Sequence, residues 1–163
     1  MAITTTTHVF AVVAAAVVGW VASTRRRSGS IALPNARLRD VPKVYELIVA
    51  ARNDGSFGVF LFGKNGSPPA NDGALNVQFS IEDGRVGLDW VSNGQLNDLE
   101  RARVEAFFRD RGAPMSPKSM NGISYIRTVS GDLPTLAQDL LRTVFGVTDE
   151  QGMLLITEGF AAP

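Results

Sequence analysis

From residue 40 onward the apolar positions fall into two periods, one helical and one extended. Val44, Leu47, Ile48 and Ala51 recur at i, i+3, i+4 and i+7, the stripe of an amphipathic helix. Asp40 is placed as its N-cap, Pro42 fits its first turn, and Gly55 lies near its end. Residues 57–62 (FGVFLF) are nearly all apolar, as in a strand that is buried on both faces or offers one apolar face to a partner. Next comes a polar Gly/Pro-rich loop at 63–73 (GKNGSPPANDG). Its glycine spacing fits neither a phosphate-binding loop nor a GxxG clamp flanked by helices, so it reads as a connection between strands.

The clearest two-residue period follows. Leu75, Val77, Phe79 and Ile81 alternate with Asn76, Gln78 and Ser80, then Glu82 to Arg85 make an Asp-Gly turn. Val86, Leu88 and Trp90 continue the alternation on the return strand. Asn97 and Glu100 have the spacing of a capping box opening a second helix, with Val104, Phe107 and Phe108 inward and Gly112 and Pro114 as stops. Residues 123–129 (ISYIRTV) predict another strand. Asp132 caps a third helix whose face carries Leu133, Ala137, Leu140, Leu141 and Val144, ending at Gly146. Residues 153–156 fit a last short strand or a docking apolar tail. The predicted order is α-β-β-β-α-β-α-(β): an α+β domain over 40–160, with an antiparallel sheet of about four strands and helices packed against it.

Ahead of it, residues 1–24 contain no charged side chain and predict an N-terminal apolar helix. The run at 9–22 (VFAVVAAAVVGWVA) would span only about 21 Å as a helix, against roughly 30 Å of bilayer hydrocarbon, unless flanking threonines are added. Arg25–Arg27 follow, which by the positive-inside rule hold the domain in the cytoplasm if the segment is an anchor. A cleaved signal peptide and a non-native or disordered extension are the other readings. Ala15 and Gly19 form a small-xxx-small pair compatible with a dimer. Residues 25–39 read as a basic linker, so membrane contact is expected through residues 1–27.

Charge sharpens the contrast between the two parts. The chain has 16 basic and 16 acidic residues, but from residue 40 on there are 11 basic against 16 acidic, a net of −5. Such a domain repels phosphate backbones, and no nucleic-acid partner is expected. The chain has no cysteine and its one histidine is His8, so the domain lacks the residues for thiolate, triad or zinc chemistry. No catalytic residue, metal or cofactor is assigned.

Among candidate functional residues, Asp89 stands on the strand face opposite Leu88 and Trp90, either toward solvent or lining a partner surface. If the outer sheet face is used, Asn76, Gln78, Ser80, Asp89 and Val91 line it. Trp90 and Phe79 fall on the core parity.

Residues 77–93 (VQFSIEDGRVGLDWVSN) with 136–157 (LAQDLLRTVFGVTDEQGMLLIT) resemble the superfamily of type III secretion chaperone-like and YbjN-like domains. The resemblance implies a small α+β fold, a helix before three antiparallel strands, and non-catalytic binding of a peptide or protein. Two features depart from it: the N-terminal apolar segment, and a region at 111–121 without the expected Trp. The chain is thus expected to be a peptide- or protein-binding module, with a membrane tether as one reading of its N-terminal segment. The alternative is a small carboxylate-dependent hydrolase or small-ligand-binding protein.

Overall fold

The computed structural model describes residues 31–64 and 74–160. Seven strands form one antiparallel sheet: β1 (Ile31–Ala36), β2 (Phe57–Phe62), β3 (Leu75–Glu82), β4 (Arg85–Val91), β5 (Ser116–Met120), β6 (Ile123–Thr128) and β7 (Met153–Glu158). Their spatial order is β1-β7-β2-β3-β4-β6-β5. Among the described residues three α-helices accompany them: α1 (Val41–Ala51), α2 (Gln95–Asp110) and α3 (Leu133–Asp139), the last running into a π-helical turn at Leu140–Val144.

The helices share one side of the sheet. Val41, Val44 and Ile48 of α1, Val104 and Phe108 of α2, and Leu133, Leu136 and Ala137 of α3 join one buried cluster with Val77, Phe79, Leu88 and Trp90. Trp90 stacks on Phe145 with ring centroids 5.4 Å apart, and its indole N–H donates to the Asn97 carbonyl at 3.0 Å. Gly58 lets α1 approach β2 closely, since a Cβ there would lie 2.8 Å from Val44 Cγ1.

The expected number of strands and the linker reading of 25–39 require correction. The sheet has seven strands rather than about four. β1 falls inside the stretch read as linker, and β5 (SPKSM) is exposed throughout, so neither shows the apolar alternation that marks a half-buried strand. β7, read as a strand or a docking tail, is a strand between β1 and β2.

The second helix begins at Gln95 with Gly94 as N-cap, so Asn97 is not the cap. Its buried side chain donates to the carbonyls of Ala74 and Asn93, both at 2.8 Å, and accepts from Asn76 Nδ2 at 2.9 Å. Asn97 therefore ties the start of α2 to β3.

The membrane-anchored location is corrected too. Among the described residues no helix is long and apolar enough to cross a membrane. Residues 1–24, on which the N-terminal apolar helix, the anchor and the contact through 1–27 rested, lie outside the described residues.

Candidate functional site: the strand-only face of the sheet

Strand alternation places Gln78, Ser80, Asp89 and Val91 on the sheet face opposite the helices, as the sequence pattern predicts. Cross-strand registers extend this into a row running Ile156, Val59, Gln78, Asp89, Arg127. Asn76 lies where the β3–β4 ladder ends, and its amide replaces the ladder by bonding both the N–H and the C=O of Val91, at 3.0 and 2.8 Å.

These residues are not solvated. Asn76, Gln78, Ser80, Asp89 and Val91 are all buried, with Gln78 fully so. Of the two readings of Asp89, toward solvent or lining a partner surface, the first is corrected: it is 1% exposed. The apolar members of the face are Phe57, Val59, Leu61, Val91, Tyr125, Leu154 and Ile156, joined by Ala74. No residue of a described helix belongs to that cluster.

Beside the apolar half lies a polar knot that sequence reasoning missed. Arg127 Nη1 donates to Asp89 Oδ1 and Oδ2 at 2.7 and 2.9 Å and to Ser80 Oγ at 2.7 Å. Its Nη2 donates to the carbonyls of Ser80 and Arg85 at 3.1 and 2.9 Å. Ser80 Oγ donates to Asp89 Oδ2 at 2.5 Å. Glu82 lies 3.6 Å from the same guanidinium and accepts the Tyr125 hydroxyl hydrogen at 2.7 Å. Gly87 makes this possible, because a Cβ there would collide with the Arg127 guanidinium. A glycine inside an alternating strand was the one sequence signal for such a close approach.

Burial pushes the Asp89 carboxyl up to about 6, against the pull of Arg127 and the Ser80 hydrogen bond. Burial, reinforced by the bond to Glu82, also raises the Tyr125 hydroxyl. Both Asp89 oxygens are engaged, so the carboxylate rivets β3, β4 and β6 together rather than standing free as a base.

Gln78 differs from its neighbours. Neither its amide nitrogen nor its amide oxygen has a hydrogen-bond partner among the described residues. Leaving such a group buried and unpaired costs about 1–3 kcal/mol.

Elsewhere, an open depression of about 310 Å³ is lined by Arg101, Glu105, Arg109, Pro114, Met115 and Pro117, away from this face. Its only carboxylate, Glu105, is held by Arg101 Nε at 2.9 Å. Among the described residues no group of three or more His, Cys, Asp or Glu is placed to hold a metal ion. Comparison with protein-family models, curated proteins and solved structures found no match.

Proposed function

We propose that the domain is a non-catalytic module that binds a polypeptide segment on the strand-only face. The observation that carries this reading is Gln78: a fully buried amide, unpaired among the described residues, set in an apolar surface that no described helix touches. A side-chain amide offers one acceptor and two N–H donors, the complement of a peptide group. An apolar segment that presents a free backbone N–H and C=O there would match both chemistries of the face. The resemblance to secretion-chaperone and YbjN-like domains supports the same class of ligand. Addition of a strand at a sheet edge is the less favoured mode, since β5 presents Pro117 and Lys118 and β1 carries Pro34 beside an irregular register.

The hydrolase alternative has one observation in its favour: Glu82 and Asp89 converge on Arg127, with Asp89 raised to about 6. Two carboxyls gathered at one cation are a pattern that acid–base chemistry can use. Against it, both already hold partners inside the sheet face.

The test is an array of apolar dodecapeptides probed with the full chain and with Gln78→Met. The substitution keeps volume and removes the unpaired amide. It is expected to stabilise the fold by about 1–3 kcal/mol in urea unfolding and to weaken peptide binding about tenfold. Unchanged peptide affinity would remove Gln78 from the site and the reading with it.

A further inference from the structure

We propose that the depression between α2 and the start of β5 is a binding site for the free C-terminal carboxylate of a polypeptide. It lies on the helix side of the sheet, so it stands whether or not the strand-only face binds a peptide.

The depression follows from the way α2 stops. The N–H of Ala113 donates to the Phe108 carbonyl at 2.9 Å and that of Gly112 to the Arg109 carbonyl at 3.0 Å, with Gly112 left-handed at φ 70°. Such a glycine cap turns the chain out of the helix. The residues after it form one wall, Pro114, Met115 and Pro117, and α2 forms the other with Arg101, Glu105 and Arg109. Met115 packs on the core and Pro117 is paired with Ile126 in β5, so the apolar wall is set by the fold. The three charged residues fall at i, i+4 and i+8, one stripe about 12 Å long on the helix.

Charge singles out this stripe. From residue 40 on the chain carries a net of −5, yet here two cations stand against one anion. Among the described residues Arg101 uses only its Nε, on Glu105 Oε1 at 2.9 Å. Its two terminal NH2 groups and Glu105 Oε2 are left over. The Arg109 guanidinium has no hydrogen-bond or ion-pair partner among the described residues.

That pattern selects the ligand. A guanidinium fork matches a carboxylate or a phosphate. A phosphate group brings about two negative charges and strong acceptors, which Glu105, one helical turn from Arg109, opposes. The end of a polypeptide brings one charge, together with amide N–H groups that Glu105 Oε2 can accept. A carbonyl further back suits the NH2 groups of Arg101. The order cation, carboxylate, cation along α2 is therefore the complement of carboxylate, N–H, C=O along an extended chain end. Three extended residues cover about 10 Å, close to the length of the stripe, whereas a free amino acid would cover about a third of it. The wall of Pro114, Met115 and Pro117 calls for apolar side chains on those residues.

The experiment measures fluorescence anisotropy of a fluorescein-labelled hexapeptide ending in three leucines, titrated with the full chain. The peptide is used as the free acid and as the C-terminal amide. The acid is expected to bind about tenfold more tightly than the amide. Arg109→Gln should abolish that difference by weakening the acid alone, with its urea unfolding midpoint unchanged because the side chain is exposed. Lys43→Gln, an exposed change on α1, should keep the difference. Equal affinity for acid and amide, no binding at millimolar peptide, or an acid–amide difference that survives Arg109→Gln would overturn the proposal. So would an equal loss in Lys43→Gln, which would mean long-range charge alone. Competition fixes the source of the anion. Inorganic phosphate or N-acetylleucine displacing the acid as well as unlabelled hexapeptide does, or an amidated peptide with an internal glutamate binding as tightly, would overturn the assignment to a chain end. Peptide held on the strand-only face responds to Gln78→Met and not to Arg109→Gln, so the two sites stand or fall separately.

Discussion

Arg127 shows how one side chain can organise a sheet face. Its guanidinium meets a carboxylate, a hydroxyl and two carbonyls from β3 and β4, and its position depends on the missing Cβ of Gly87. Removing one member of a buried pair strands the other, so Arg127→Met is expected to lose about 3–5 kcal/mol near neutral pH. The pH dependence identifies the stranded group. Asp89 titrates above its ordinary 3.8, at about 6, so the folded chain holds that proton more tightly than the unfolded chain. Its contribution to stability is therefore greatest at low pH and falls as pH rises through that window. Without the cation the window extends upward, and the deficit of Arg127→Met should shrink as pH drops from about 8 to about 5. Urea unfolding of both proteins at the two pH values measures this; an equal deficit would exonerate Asp89. Strand parity made the facing of Gln78, Ser80, Asp89 and Val91 legible from the sequence. Their burial and their partner Arg127 were not legible, because parity says which side a residue faces and nothing about which strand lies alongside.

The elements divide in the same physical way. α1, α3, β3 and β4 carry strong periodicity and were legible with their turns; Asp83 and Gly84 adopt the left-handed conformations that the Asp-Gly turn requires. β5 has no apolar side to give it away. Its signal was the turn: Asn121 and Gly122 have φ of 52° and 80°, a two-residue Asn-Gly hairpin joining β5 to β6. As an outer strand β5 keeps Pro117 and Lys118 where a foreign strand would pair. Replacing both, Pro117→Val with Lys118→Thr, should leave monomer stability within about 0.5 kcal/mol while producing concentration-dependent association in sedimentation velocity. A variant that stays monomeric at high concentration would show that the edge is guarded by something else.

At the scale of the whole molecule, the sequence indicated an antiparallel sheet with helices against it, and the helices do share one side. The order of strands lay beyond its reach, since the pairing Ile31↔Thr157 joins positions with no local signal in common. β7 is the hinge of that arrangement: it pairs with β1 on one side and β2 on the other. A chain stopped at Gly152 is therefore expected to lose cooperative unfolding altogether rather than a single strand's worth of stability, as read by urea titration of near-UV circular dichroism. A normal transition in that chain would show that β2 tolerates a bare edge. The same order carries a consequence for biosynthesis. Translation delivers about 5–20 residues per second, so β2, wholly apolar in its side chains, emerges on the order of 5–20 s before the strand that will cover its edge. During that interval the nascent chain displays an unpaired, strongly hydrophobic strand border, and its yield in a cell will depend on ribosome-associated chaperones that shield it.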